Sequence, residues 1–302
     1  MQRQAVSFVV IVRLSGGLGN QLFQYAAGRA VAVHRGDILK LDIANIQRDP
    51  QRSYRLDRFH VSADIASDVD MKMLKACYLL LLPKRLPRRV RMYIPDRHLA
   101  IVRERYPNQY DPVLFESEQP HIHLIGYWQN IQYLERIEPL LRKEFEISLP
   151  PDTVNAEMLQ QIRQVEAVSL HVRRGDYVSN PVVNQHHGTC SVEYYLKAVS
   201  AIAEQVPEPE FYVFSDDIPW SQENLRLPFP THFVAHNGPD KDYEDLRLMQ
   251  NCKYHILANS TFSWWAAWLC DYPQKIVVGP KTWFSAPDRS ASGLFPVDWV
   301  QI

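Results

Sequence analysis

The chain lacks the features that mark several broad classes of protein. Its 302 residues include only four cysteines, none of them in a Cys-x-x-Cys pair. That number and spacing argue against a disulfide scaffold and suit unpaired thiols in a reducing compartment. The apolar run 8–12 ends at Arg13 and is far shorter than the about 20 residues that a membrane span needs. We therefore expect a soluble protein whose first strand begins near residue 8.

A large net charge is also absent. The 33 Lys and Arg residues balance 34 Asp and Glu residues, which gives a formal charge of -1. No global basic field recruits nucleic acid, so any anion site must be local. The length and the 46% hydrophobic content allow one large domain or two of about 150 residues each. The prolines near 149–152 predict a boundary there, with domains 1–150 and 151–302.

One segment departs from this charge balance. Residues 71–105 carry ten basic and two acidic side chains around the apolar run 78–82. Two interpretations remain open: a core helix flanked by solvated charge, or a patch that rests on anionic lipid or on a lipid-linked acceptor.

The hydrophobic pattern predicts an α/β fold. The strand 8–14 is followed by the glycine loop 15–21, and Leu22, Ala26, Ala30 and Val33 then recur at helical spacing. Further apolar runs alternate with helical stretches, and in the second half this rhythm predicts a doubly wound parallel sheet. The other predicted strands are 38–43, 122–127, 167–172, 211–214, 232–235, 255–258 and 276–278, with helices at 193–205 and 243–251.

Polar residues follow the predicted strands of the second half, where ligands bind in such sheets. Arg173 and Arg174 follow one strand, 215–217 another, and 259–261 a third. Guanidinium groups and a capped helix N-terminus near Thr261 suit a diphosphate. The alternatives are that the arginines only pair with Asp176, and that Asp216 only caps the following helix.

The glycine loop and the tryptophans have structural alternatives as well. The loop allows close approach to a phosphate, but it lacks a GxGxxG pattern because Leu22 stands at the third glycine position. A tight strand-to-helix turn is the other interpretation. Trp264 and Trp268 share a helix face, which predicts core packing over sugar stacking.

The sequence predicts no metal site. The Asp-x-Asp pairs 68–70 and 240–242 lie where helix capping is the commoner use. The histidine pairs 121/123 and 186/187 have no Cys or carboxylate partner at a familiar metal spacing.

Four motifs together resemble the α-1,2-fucosyltransferases of glycosyltransferase family 11. They are His-Val-Arg-Arg-Gly-Asp-Tyr at 171–177, Gly-Gly-Leu-Gly-Asn-Gln at 16–21, Phe-Tyr-Val-Phe-Ser-Asp-Asp at 211–217 and Asn-Ser-Thr-Phe-Ser-Trp-Trp at 259–265. The first also resembles short elements of α-1,6-fucosyltransferases and protein O-fucosyltransferases. The order of the blocks, together with Gly-Tyr-Trp-Gln at 126–129, makes the narrower assignment.

The resemblance implies a GT-B type fold, in which two Rossmann-like domains face a cleft. The N-terminal domain would lie on the acceptor side, and the C-terminal domain would bind GDP-fucose. The implied reaction is metal-independent and inverting, needs no cofactor, and moves L-fucose from GDP-β-L-fucose to the 2-hydroxyl of a terminal β-galactose. Similar bacterial enzymes act on oligosaccharides or surface polysaccharide precursors, such as O-antigen, so we expect a cytoplasmic protein, either free or peripheral at the inner face of the membrane.

The resemblance also implies roles for single residues. Arg173 would hold the β-phosphate, while Asp176 and His187 are the candidates for the general base. Asp245 would bind guanine, although alone it reads as an exposed helical acid. The full set of residues expected to contact GDP-fucose is Gly19, Asn20, Gln21, His171, Arg174, Asp216, Asp245, Asn259, Ser260, Thr261 and Ser263.

Three competing functions stay open at this point. The same sheet could serve a non-catalytic module that binds GDP or a glycan. Asp240 and Asp242 could serve a metal-dependent glycosyltransferase, and a fucosyltransferase could form a different linkage. The acceptor itself is not readable from the sequence.

Overall fold

The computed structural model describes residues 8–81, 100–181, 184–185, 188–286 and 291–302, with all their side chains except those of 75–81, 176 and 179. The chain forms two compact units. The first comprises the described residues up to Glu146 together with Ser292–Leu294. The second comprises the described residues of Ile147–Ala291 and Phe295–Ile302.

The first unit contains a five-stranded sheet in which all neighbouring strands are parallel. Its order is β3-β2-β1-β5-β4, so the neighbouring strands β1 and β5 are not consecutive in the chain. The central strand β1 is buried along most of its length, as its β-branched residues predict. The strands are β1 Val9–Arg13, β2 Ile38–Asp42, β3 Asp64–Ile65, β4 Ile101–Arg103 and β5 His121–Ile125.

Helix α1, Leu18–Arg35, follows the glycine loop as predicted. It ends at Gly36, whose left-handed conformation lets its N–H bond to the last turn. Leu22, Ala26 and Ala30 are buried, whereas Val33 in the last turn is 45% exposed, so the predicted apolar stripe stops one turn early. The other α-helices in the described part of this unit are α2 Ala44–Arg48, α3 Asp68–Leu81, α4 Ile131–Glu135 and α5 Glu138–Glu144.

The second unit contains a six-stranded sheet, again parallel throughout its described pairings. Its order, β11-β10-β9-β6-β7-β8, corresponds to the doubly wound order 6-5-4-1-2-3, in which the direction of winding reverses between the two central strands. Those central strands are β6 and β9. The strands are β6 Glu166–Val172, β7 Pro209–Ser215, β8 Thr231–Val234, β9 Tyr254–Ile256, β10 Val277–Gly279 and β11 Val300–Gln301.

Helices cover this sheet and bury its core. Helix α8 places Tyr195, Ala198 and Ile202 in a cluster with β6 and β7 residues, as expected for an amphipathic stripe. Trp264 and Trp268 of α11 stack with ring centroids 6.3 Å apart and are buried. The helices are α6 Thr153–Gln164, α7 Gly175–Ser179, α8 Val192–Ala203, α9 Ile218–Asn224, α10 Asp242–Gln250 and α11 Thr261–Leu269.

The predicted α/β class with parallel sheets is confirmed, and so is core packing of the tryptophans. No helix in the described part of the chain is long and apolar enough to cross a membrane. Cys190, Cys252 and Cys270 are free thiols.

Candidate active site

The carboxyl ends of β6 and β9 form the centre of the candidate site. Because the winding of the sheet reverses between these strands, the loops that follow them border the crevice where α/β sheets bind ligands. The hydroxyl of Tyr177 donates to the carbonyl of Asn259 at 3.3 Å and ties the two loops together.

Arg173 follows β6 directly and pairs with Asp216, which lies at the end of β7. Its Nη1 is 2.9 Å from Asp216 Oδ2, and its guanidinium lies 5.4 Å from the ring centroid of Tyr177. Asp216 also accepts a hydrogen bond from the backbone N–H of Arg174 at 2.8 Å. The carboxylate of Asp216 therefore fixes both the side chain of Arg173 and the backbone of its loop.

Gly175 completes this arrangement. A Cβ at this position would lie 2.5 Å from Asp216 Oδ2, which is closer than any side chain tolerates. The loop after β6 can therefore lie this close to Asp216 only because residue 175 has no side chain.

Arg174 is held by a different carboxylate. Its Nε donates to Asp217 Oδ2 at 3.1 Å, and its guanidinium lies 3.9 Å above the ring of Trp220, a cation–π contact. Asp217 is the N-cap of α9 and accepts from the N–H of Trp220 at 3.2 Å. The cap expected at Asp216 is thus provided by Asp217, and the contacts of Arg174 favour support of the loop.

The loop after β9 is fixed by its own polar side chains. Asn259, 2% exposed, donates to the carbonyls of Gly188 and Trp283. Ser260 caps α11 by accepting from the N–H of Phe262 at 3.3 Å. The buried Ser263 donates to the carbonyl of Ser260 at 3.1 Å. These three side chains shape the turn that leads into the N-terminus of α11 at Thr261.

His171 is a buried, neutral histidine on β6. Burial, reinforced by the charge of Arg173, lowers its pKa to about 3. Its ring lies 5.6 Å from that of Phe262, and its Nδ1 has no hydrogen-bond partner among the described residues. At neutral pH it therefore brings no positive charge to the site.

Asp245 lies on α10 and is partly buried. Burial raises its pKa to about 7, and the neighbouring Asp242 and Glu244 act in the same direction, while a hydrogen bond from Asn237 lowers it. That bond, from Asn237 Nδ2 to Asp245 Oδ1, is 2.9 Å long. The interpretation of Asp245 as an exposed helical acid is wrong.

Asn237, the hydrogen-bond partner of Asp245, is itself held in place by a second side-chain amide. Asn155 and Asn237 exchange two hydrogen bonds of 2.9 Å, each Nδ2 donating to the other's Oδ1. Asn155 is fully buried and its Oδ1 also lies 3.0 Å from His236 Nε2. The carboxyl of Asp245 is therefore held through two amides.

The glycine loop of the first unit uses its polar side chains internally. Gln21 is fully buried. Its Nε2 donates to the carbonyls of Gly16 and Ser53 at 3.0 and 2.9 Å, and its Oε1 accepts from the N–H of Arg55 at 3.0 Å. This geometry favours support of the turn by Gln21 over contact with a ligand.

The two residues before Gln21 differ from one another. Gly19 is buried within α1. Asn20 is partly exposed, and its Oδ1 accepts from Gln129 Nε2 at 3.0 Å.

The two Asp-x-Asp pairs have structural surroundings. Asp68 and Asp70 lie in the first turn of α3, not before it, and Asp70 pairs with Lys40 Nζ at 2.7 Å. Lys241 is the N-cap residue of α10, and Asp242 lies in the first turn of that helix. The described residues contain no group of three or more His, Cys, Asp or Glu side chains arranged to hold a metal ion.

Some predicted residues fall outside this description. Asp176 lies in α7, but its side chain is not among the described ones. His187 and residues 82–99 of the basic segment lie outside the described residues altogether.

Sequence reasoning missed several residues that shape the site. Asp217 is among the predicted strand-end residues 215–217, but its role as a helix cap was missed, although an Asp just before Ile-Pro is a helix-start signal. Asn155 has no such signal, since its partner Asn237 is 82 residues away. Glu104, which contacts the Gly-Tyr-Trp-Gln loop, also has no local pattern.

Comparison with known sequences shows which protein family the chain matches. The profile of glycosyl transferase family 11 matches residues 9–302. An α-1,2-colitosyltransferase of Escherichia coli is 34% identical over 97% of this chain and 99% of its own length. The O-antigen biosynthesis glycosyltransferase WbnK of Escherichia coli is 31% identical over 92% and 95%. Galactoside α-(1,2)-fucosyltransferase 2 of Rattus norvegicus is 28% identical over 49% of this chain and 44% of its own length.

The fold itself has counterparts among solved structures. NodZ, an α-1,6-fucosyltransferase from Bradyrhizobium whose crystals were soaked with GDP-fucose, matches 90% of this chain and 95% of its own chain. The TM-score is 0.50 at 14% identity. At that identity the likeness concerns the fold, which is of the GT-B type that fucosyltransferases use.

Proposed function

The chain belongs to glycosyl transferase family 11 and is a glycosyltransferase, and from that premise we propose that it is a galactoside 2-α-L-fucosyltransferase. It would transfer L-fucose from GDP-β-L-fucose to the 2-hydroxyl of a terminal β-galactose. The α-1,2 linkage is supported by the names of the relatives in Escherichia coli and Rattus norvegicus. The galactoside acceptor is supported by the second of these.

The observation that carries the proposal is the ion pair between Arg173 and Asp216 at the carboxyl edge of the second sheet. When fucose leaves GDP, negative charge develops on the departing β-phosphate. A guanidinium fixed beforehand stabilises that charge well, because no reorganisation is needed as the bond breaks. A guanidinium carries five N–H groups in a planar fork, a geometry that suits phosphate oxygens as well as a carboxylate.

The nucleotide base would be recognised by Asp245. A carboxylate can accept from both N1–H and N2–H of guanine. Asn237 donates to one carboxylate oxygen, Oδ1, which orients the group. Guanine donors would favour the ionised form and lower the pKa of Asp245 from about 7.

Inversion at the fucose carbon requires a base that takes a proton from the acceptor hydroxyl. Asp176, in α7 directly after the loop fixed by Asp216, and His187 remain the two candidates. The proposal needs no metal ion, because the cationic side chain of Arg173 supplies the charge that a metal would otherwise bring to the diphosphate.

A second donor has a specific observation in its favour. The relative with 34% identity is named as a colitosyltransferase, and colitose is fucose without its 3-hydroxyl. A site that hydrogen-bonds this hydroxyl rejects the sugar lacking it by about 10⁴ or more, whereas a site that only packs against it discriminates weakly. The ratio of kcat/KM for the two donors therefore decides between them.

The test is a panel of β-galactosides incubated with GDP-fucose or GDP-colitose, with release of GDP as the readout. The proposal expects acceptor-dependent GDP release that favours GDP-fucose and persists in EDTA. Faster release of GDP from GDP-colitose would identify GDP-colitose, and not GDP-fucose, as the donor. Binding of GDP without any turnover would identify a non-catalytic module instead.

Lipid linkage of the acceptor is the remaining part of the proposal. The name of WbnK places that relative in O-antigen biosynthesis, and the basic segment 71–105 offers charge for an anionic membrane surface. Cosedimentation with liposomes that contain anionic lipid tests whether the protein binds such a membrane surface, with salt as the control. Failure to sediment at low ionic strength would contradict it.

A further inference from the structure

The loop after β5 in the first unit presents an exposed aromatic ring on a fixed backbone. Tyr127 is 42% exposed, whereas the three residues that follow it are at most 8% exposed. It lies two residues beyond the end of β5, at the carboxyl edge where open α/β sheets bind ligands.

A partly exposed carboxylate fixes the backbone of this loop. Glu104 accepts from the N–H groups of Tyr127 at 2.7 Å and Trp128 at 3.1 Å, and from that of Asn108 at 3.4 Å. A Cβ on Gly126 would collide with the side chain of Glu104. The loop can therefore take this path only with glycine at position 126.

The conformation of Trp128 is also unusual. Its φ of 55° lies in the left-handed region, which bulky side chains rarely adopt. Strain of this kind persists only where the surroundings over-determine it, and it concentrates at binding sites. Here Trp128 is buried, so its packed side chain holds the backbone next to Tyr127 in this conformation.

Polar contacts join this loop to the glycine loop after β1. Gln129 Nε2 donates to Asn20 Oδ1 at 3.0 Å, and Gln24 Nε2 donates to the carbonyl of Gly126 at 3.1 Å. The strands β1 and β5 are neighbours in the sheet. Tyr127 and the partly exposed Asn20 thus belong to neighbouring segments at one edge of the sheet.

The backbone of the loop after β5 does not favour an anionic ligand. The loop N–H groups that could bind a phosphate already bind Glu104, and that carboxylate would repel an anion. The cationic groups suited to a diphosphate, Arg173 and Arg174, belong to the other unit. An exposed amphipathic aromatic ring at this edge suits a sugar, which has apolar C–H faces and a hydroxyl rim.

We propose that Tyr127, on the loop fixed by Glu104 and Trp128, is a stacking platform for the neutral sugar ring of the acceptor. The proposal rests on the transferase function above and adds a binding site for the acceptor. It assigns no step of the reaction to Tyr127. The ring would raise affinity for the acceptor and leave the donor untouched.

The test compares Tyr127→Ala and Tyr127→Phe with Tyr106→Ala, a control at a 62% exposed tyrosine of the same unit. Initial rates are measured with acceptor varied at saturating donor, and with donor varied at saturating acceptor. Burial of an aromatic ring against a ligand is worth roughly one to two factors of ten in affinity. Tyr127→Ala should therefore raise the acceptor KM about tenfold or more and leave the donor KM unchanged, while the other two variants stay near wild type.

Two results would overturn the proposal: an unchanged acceptor KM in Tyr127→Ala, or a donor KM raised in its place. Saturation-transfer NMR of a β-galactoside on the protein without donor gives a readout independent of turnover. If the wild type binds the galactoside through Tyr127 but transfers no fucose, the proposed reaction is refuted and the proposed stacking site at Tyr127 is supported. A wild type that transfers fucose while Tyr127→Ala binds galactoside normally would refute the platform alone.

Discussion

The carboxyl group of Asp245 leads to a quantitative prediction about stability and pH. Its pKa is raised from 3.8 to about 7, first by burial and then by Asp242 and Glu244. Between these two pH values the folded chain binds more protons than the unfolded chain. The contribution of this carboxyl group to the free energy of unfolding is therefore fully present below pH 4 and is lost as pH rises to 7. One pKa unit corresponds to about 1.4 kcal/mol. After allowance for partial exposure, the ionised carboxylate costs the folded protein about 2 to 4 kcal/mol above pH 7.

Replacing the carboxyl by an amide should remove this cost. In Asp245→Asn the new Oδ1 can still accept from Asn237, but no charge has to be buried. We expect the variant to be more stable than wild type by about 2 to 4 kcal/mol at pH 8, with a difference that shrinks as pH falls from 7 to 5. Urea unfolding of both nucleotide-free proteins across pH 5–8 measures this. Asp240→Asn removes one negative charge from an exposed position nearby and is the matched control.

A difference that does not vary with pH would refute the reasoning, and so would an Asp245→Asn protein less stable than wild type at pH 8. If the carboxylate also binds guanine, the stabilised variant should bind GDP more weakly. That combination is the trade-off expected where a binding group is kept at a cost to stability.

The remaining predictions concern the loop around Arg173. Arg173→Ala should lower kcat by about 10² to 10³ while the unfolding midpoint stays near wild type, measured by GDP release and thermal denaturation. Asp216→Asn should lower kcat because Arg173 is misplaced. Arg173→Lys should not restore kcat to the wild-type value. Asp217→Asn, which loosens Arg174 and the cap of α9, should mainly lower the unfolding midpoint. Gly175→Ala should reduce turnover as strongly as Asp216→Asn, because its Cβ would lie 2.5 Å from Asp216 Oδ2. Initial rates in EDTA should equal those without chelator.

The parallel sheet of the second unit could be predicted because its longer strands have clear local patterns, whereas the short strands β3, β4 and β11 were not predicted. Buried parallel strands read as short runs of β-branched and aromatic residues, and the predicted strand 167–172 differs from the observed Glu166–Val172 by a single residue. The residues that follow these runs indicated the edge where a ligand would bind, because parallel strands place their carboxyl ends together.

The partners of the site residues could not be predicted, because they come from distant parts of the chain. Arg174 pairs with Asp217, 43 residues away, and which carboxylate takes which arginine depends on the register of β6 against β7. The first residue of α10 could not be predicted either, because the 3₁₀ turn Pro239–Lys241 precedes the helix and leaves Lys241 at the N-cap. Its Nζ instead bonds to Asp152 Oδ2 at 2.7 Å.

The most direct test of the account is the structure of the product. The protein is incubated with GDP-β-L-fucose and a β-galactoside, and the purified product is analysed by two-dimensional NMR. The account predicts an α-linked fucose on O-2 of galactose, since inversion of the β-linked donor gives an α-glycoside. A β-linked fucose, or attachment at any other hydroxyl, would contradict it.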